Sequence, residues 1–183
     1  MIRMVSETKS TELDRAVGQL VVGAFFFAMR SCEYLYVPKG QTRKTKVLTL
    51  ENIRFWKNKL IIQQDDPNLS SADVVAITFV KQKNEKDGEI INQFKSRDDA
   101  IHPVKAWADL VTRISSYPKT RPQTQVNQVQ IEGKLVAVTS AAVTMALRKA
   151  VRKIGKARLG FDPADVGTHS IRSGAAMAMY LNK

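Results

Sequence analysis

The segment Ala16–Met29 (AVGQLVVGAFFFAM) constrains the fold more than any other stretch of the chain. A run this apolar on every side has to be surrounded by other structure. It is shorter than the roughly 20 apolar residues that a bilayer demands, and Gln19 interrupts it. Just before it, Ser10 or Thr11 can accept from the first free backbone amides, and Glu12 and Asp14 suit the positive end of a helix dipole. Leu13, Val17, Leu20, Val21 and Ala24 then recur at helical spacing. The pattern predicts a buried helix that starts near residue 11 and runs to about Tyr34. A secretory signal is not expected, because a charged, capped start precedes the run and no small-residue cleavage pattern follows it.

The remaining segments predict partners for that helix. Residues 37–46 (VPKGQTRKTK) read as an exposed basic loop. Val47–Leu50, Ile53–Trp56 and Leu60–Gln63 are short strand candidates, with Lys57-Asn58 as the turn between the last two. DDPNLSSAD is a loop by composition. Val74–Val80 is the strongest strand, and Asp87-Gly88 marks a turn from which Glu89–Phe94 returns as its partner. Pro103 suits the first turn of a helix whose apolar face is Val104, Trp107, Leu110, Val111 and Ile114. Residues 118–130 read as a polar loop. Thr139-Ser140 can cap a helix with the stripe Val143, Leu147, Val151 and Ile154, ended by Gly160 and Pro163. A last helix begins near Thr168. Helix, small antiparallel sheet and then several helices make an α+β pattern, mostly helical, in one domain over residues 1–183.

Charge narrows the partners. The net charge is +12, from 29 Lys and Arg against 17 Asp and Glu, which favours a polyanion, nucleic acid before an anionic membrane surface. The only cysteine, Cys32, allows no internal disulfide and points to a reducing compartment. One Cys with His102 and His169 far apart does not make a zinc cluster, so no metal is expected.

The chemistry concentrates in a few residues. His169 and Arg172, three apart, share one helix face. The pair can present a proton-transfer group and a fixed cation to one phosphate, since a guanidinium stays charged and bonds two phosphate oxygens at once. The helix beginning at Thr139-Ser140 carries Arg148, Lys149, Arg152 and Lys153 away from its apolar stripe, and no acidic residue occurs between Glu132 and Asp162. With Arg43, Lys44 and Lys46 of the early loop and Lys81 beside the hairpin, these are candidate DNA-backbone contacts, which give affinity without sequence choice.

Four segments together resemble the catalytic domain of the tyrosine recombinases, the phage-integrase family. MRSCEYL is similar to that family's first-arginine box, with an acid three residues after the arginine. VVAITFVKQKNEKDGEI is similar to its β-hairpin with a catalytic lysine, IHPVKAWADLV to the proline-led helix that follows, and THSIRSGAAMAMYL to its His-x-x-Arg box. The four occur in the family's order over roughly residues 11–183. The resemblance implies Arg30, Lys83, His169 and Arg172 as catalytic residues, with Glu33 orienting Arg30. Lys81, two residues from Lys83, is the alternative hairpin lysine; Lys83 is favoured because Lys-Asn follows the strand as in the family. In the family, two arginines clamp the scissile phosphate, the lysine protonates the leaving 5′ oxygen, the histidine assists proton transfer, and a tyrosine forms a 3′-phosphotyrosyl intermediate. The implied partner is double-stranded DNA, with no cofactor and no membrane.

The chain departs from the family in two respects. No helical core-binding domain is expected within residues 1–183, since only about ten residues lie before the first predicted helix. Tyr180, the only tyrosine after the His-x-x-Arg box, is eight residues beyond Arg172 and too near to match the nucleophile; it reads as core packing, and Tyr34, Tyr36 and Tyr117 do not match either. The chain is therefore expected to be a C-terminally incomplete catalytic domain that does not complete cleavage in cis, and to expose core surface near Met177, Met179 and Leu181 through which it self-associates. The competing expectations are a DNA-binding remnant of a mobile element with an inactive phosphate pocket, and an unrelated basic nucleic-acid-associated structural protein.

Overall fold

A computed structural model of the chain describes residues 1–38, 45–81 and 87–181. The apolar run does form the central helix, α2 (Glu12–Phe26), with eight of its residues buried from Ala16 to Ala24. Thr11 caps it. The Thr11 side chain accepts from the Asp14 N–H at 3.0 Å, and the Asp14 carboxylate accepts from the Thr11 N–H at 3.1 Å, so two orphan amides are satisfied reciprocally. A helix not anticipated from the sequence, α1 (Ile2–Glu7), precedes it. The two pack closely because Gly18 has no side chain: a Cβ there would lie 3.2 Å from the Ser6 Cα. At Gly23 the closeness is greater, and a Cβ would meet the Trp107 ring at 2.8 Å.

The central helix ends eight residues earlier than the periodicity predicts. Ala28 takes a left-handed conformation with φ +49°. Its N–H donates to the Phe25 carbonyl at 3.2 Å, and the Met29 N–H reaches back to the Ala24 carbonyl at 2.9 Å. These two bonds close the helix in the manner that glycine usually allows. The chain then restarts as the short α3 (Ser31–Tyr34). An alanine in this conformation carries a steric cost that glycine lacks. Ala28→Gly is accordingly expected to stabilise the fold by about 0.5–1 kcal/mol, less than the full relief because glycine also loosens the unfolded chain. At this size that is a rise of about 1–4 °C in the melting temperature. An unchanged or lower melting temperature in a calorimetric scan would show that the turn is not strained.

The sheet has the order β2-β1-β3-β4, all antiparallel, with β1 (Ile53–Lys57), β2 (Leu60–Ile62), β3 (Val74–Phe79) and β4 (Glu89–Phe94). Val74 pairs with Phe94 and Phe79 with Glu89, the predicted hairpin. The β1–β2 turn falls on Asn58 and Lys59, both at positive φ, one residue later than expected. Val47–Leu50 is not a strand of this sheet. Thr49 makes an isolated bridge to Gln125, and the Leu48 N–H donates to the Glu33 carbonyl.

Beyond the sheet come α4 (Pro103–Ser115), a second hairpin of β5 (Gln128–Ile131) and β6 (Lys134–Ala137), α5 (Ser140–Ile154), the short α6 (Lys156–Leu159) and α7 (Thr168–Leu181). The β5–β6 hairpin replaces part of the loop expected at 118–130. Its turn, Glu132-Gly133, has positive φ at both residues, the geometry that matches strand twist in a two-residue hairpin. One cluster of buried residues joins α2 with the inner face of the sheet, α4 and α5, through Leu20, Phe55, Ile77, Trp107 and Leu147. The architecture is α+β, mainly helical with a small antiparallel sheet, and among the described residues no helix is long and apolar enough to cross a membrane.

Candidate phosphate-binding site

The early end of α2 decides where Arg30 stands. Instead of lying on the last turn of a long helix, Arg30 is the first residue before α3, in extended conformation. Its backbone N–H donates to Glu33 Oε2 at 2.6 Å and its Nη1 to Oε1 at 3.3 Å. Glu33 is 3% exposed. A carboxylate so buried needs partners, and it takes both from one residue, which fixes the direction of the Arg30 side chain. Arg30 keeps guanidinium donors beyond the one used on Glu33.

Arg172 arrives from the far end of the chain. It lies on the second turn of α7, and its Nη1 donates to the Ala28 carbonyl at 2.6 Å across 144 positions of sequence. The acceptor belongs to the same left-handed turn that ends α2, two residues before Arg30. The two arginine boxes therefore meet at one turn. Gly174 of α7 faces the Phe25 ring of α2, which a Cβ there would meet at an ordinary contact distance of 3.9 Å. His169 is exposed, one turn before Arg172 on the same helix. Ser170 anchors that turn, its hydroxyl accepting from the Gly167 N–H at 3.2 Å. Nothing in the sequence marks Ala28 as a contributor, because it acts through its carbonyl and its backbone angle.

The other expected site residues divide. Lys83, Arg43 and Lys44 lie outside the described residues. Lys81 is exposed just past β3, and Lys46 is exposed ahead of β1. On α5, Lys149, Arg152 and Lys153 extend from the side away from the core, and all three are exposed. Arg148 is differently engaged: its Nε donates to the Val166 carbonyl at 3.0 Å and its Nη2 to the Ala164 carbonyl at 3.1 Å. It ties the segment leading into α7 onto α5, so it supports the placement of His169 and Arg172 from behind rather than presenting a free cation.

The tyrosines also separate. Tyr34 is 0% exposed, and burial, with Glu33 and Cys32 adding to it, raises its hydroxyl pKa well above the ordinary value. A phenol held neutral and shut from solvent cannot attack a phosphate. Tyr180, expected in the core, is 72% exposed, as α7 buries only Ile171 and Ala175. Met177, Met179 and Leu181 are exposed beside it, as anticipated.

A polar network that the sequence does not reveal holds α2 to α4. Arg113 donates from Nε to Gln19 at 2.9 Å and from Nη1 to the Tyr117 hydroxyl at 2.7 Å and the Gln128 carbonyl at 2.8 Å. The Tyr117 hydroxyl in turn donates to Glu12 at 3.0 Å. The guanidinium so spans α2, α4 and β5, and is a structural cation. Comparison of the chain with protein-family models, with curated proteins and with solved structures finds no match.

Proposed function

We propose that this chain binds double-stranded DNA and uses Arg30 and Arg172 as a phosphate clamp, as part of the catalytic domain of a tyrosine recombinase that cleaves and rejoins strands in its complete form. The observation that carries the proposal is the bond from Arg172 to the Ala28 carbonyl. Two arginines from opposite ends of the chain converge on one turn, and Glu33 aims one of them. Unlike Arg113, whose Nε and Nη1 donors are taken up within the fold, Arg30 and Arg172 each keep guanidinium donors beyond their single side-chain bond. His169, exposed on the face that carries Arg172, supplies the proton-transfer group, and Lys83 or Lys81 the proton for the leaving oxygen. The cations Lys46, Lys149, Arg152 and Lys153 add backbone affinity. The part assigned to this chain is to bind and polarise the phosphate, with the attacking tyrosine supplied from outside residues 1–183.

The test is fluorescence-anisotropy titration of a labelled duplex over a salt series. Affinity should fall steeply with salt, since each neutralised phosphate contributes about −0.9 to the logarithmic slope. The Arg30→Ala, Arg172→Ala double variant should bind more weakly and lose about 1 unit of that slope, for the one phosphate that the pair neutralises. A thermal melt of the same variant separates loss of the clamp from loss of fold. Binding by the folded double variant at wild-type affinity and slope would remove the clamp from the protein.

A further inference from the structure

The four-stranded sheet has two faces, and only one is used by the core. Ile53, Phe55, Val75, Ile77 and Phe79 are buried on the inner face. On the outer face the register lines up Ile61, Trp56, Val74 and Phe94, one from each strand, as successive Cα partners. At ~4.8 Å between strands this row crosses roughly 14 Å of surface. Ile61 is 56% and Phe94 67% exposed, and Trp56 is partly exposed. The next row holds Arg54, Ala76 and Asn92, again in register, with Ala76 buried between its exposed neighbours, and beyond it Thr78 pairs with Ile90, which is 62% exposed.

Charge identifies what this face suits. Arg54 is exposed, and it has no acidic partner among the described residues. The strands carry one acid, Glu89, and it alternates to the inner side opposite buried Phe79. Lys57, Lys59 and Lys95 stand at the end of the sheet beside the aromatic row, with Lys95 paired to Asp73 and Lys57 bonded to Ser71. A covering protein surface would have to desolvate Arg54 or bring its own acid. A polyanion with flat apolar rings meets both requirements at once, because bases stack on Trp56 and Phe94 while phosphates lie over Arg54 and Lys59.

We propose that the outer face of the sheet binds single-stranded DNA. Stacking on Trp56 and Phe94 does not read the sugar, so the choice of DNA rests on the duplex-DNA reading proposed above. This surface is separate from the arginine clamp, so either assignment can fail without the other.

The protein contains its own reporter. Trp107 is 1% exposed, so a ligand that changes tryptophan emission acts on Trp56. Titration of the whole chain with oligo(dT) should quench that emission. Phe94→Ala and Arg54→Ala, both at exposed positions, should each weaken oligo(dT) binding on the order of ten-fold and leave duplex binding unchanged, whereas Arg30→Ala, Arg172→Ala should leave the quenching intact. Quenching that survives both sheet substitutions, or no quenching at all, overturns the proposal. Tighter binding of oligo(rU) than oligo(dT) overturns the choice of DNA. Concentration-dependent dimerisation abolished by Phe94→Ala, without quenching by oligo(dT), would assign the face to a second copy of the chain instead.

Discussion

Replacing Glu33 by alanine is expected to cost about 3 kcal/mol of stability and to weaken duplex binding as much as Arg30→Ala does. The carboxylate is almost fully buried and accepts from both the N–H and the guanidinium of Arg30. Its removal leaves a part-buried amide without an acceptor and a half-buried cation without its counter-charge. It also leaves a cavity under α3, beside the fully buried Tyr34 and Leu35. Glu33→Gln should cost less, since its carbonyl oxygen can still accept the Arg30 N–H, but its amide would face a guanidinium donor. The order wild type, Gln, Ala should therefore appear both in urea midpoints and in duplex affinity. If Glu33→Ala unfolds at the wild-type urea concentration, the buried pair contributes nothing and its role as the orienting group for Arg30 falls with it.

The second large effect concerns the packing of α2. In an ordinary helix interior, glycine to alanine gains up to about 1 kcal/mol. At Gly23 the sign should reverse. A Cβ there would stand 2.8 Å from Trp107 Cε2 and Nε1 and 2.9 Å from Cζ2. Trp107 is 1% exposed and is held edge-on against Phe27 with ring centroids 6.1 Å apart, so the ring cannot swing aside. Gly23→Ala is expected to lose about 2–3 kcal/mol. Trp107→Leu will itself destabilise, but in that background the alanine should be tolerated or favourable. The double-variant cycle should give a coupling of about 1–3 kcal/mol. Simple additivity of the two losses would mean that the helix shifts to accommodate the methyl group and that the close approach is not required.

The central helix, the β3–β4 hairpin, the proline-led α4 and the capped α5 could be read from periodicity and turn chemistry, because each depends on neighbours in sequence. Three features could not. α1 is too short to show a period. The end of α2 depends on an alanine adopting a glycine-like angle, which no local preference favours, and the apolar pattern runs straight through it. The β5–β6 hairpin was hidden in a polar segment, although Glu132-Gly133 was its turn. At the candidate site the i,i+3 pairing of Glu33 with Arg30 was legible in their spacing, and the two are bonded. What the sequence did not disclose is that Arg148 spends its donors on the Val166 and Ala164 carbonyls, or that a main-chain oxygen at Ala28 is the meeting point for Arg172. Backbone acceptors carry no residue signature, so contacts of this kind are invisible until the chain is folded.

The bond between Arg172 and Ala28 also sets a clock. At roughly 5–20 residues per second of synthesis, the arginine of α7 leaves the ribosome on the order of 7–30 s after the turn it will grip. During that interval α2 and the sheet can already be assembled, yet Arg30 stands at the turn without Arg172. A growing chain thus carries its positive charge long before Arg172 reaches the turn beside Arg30, and the phosphate clamp proposed for the pair could form only once the last helix docks.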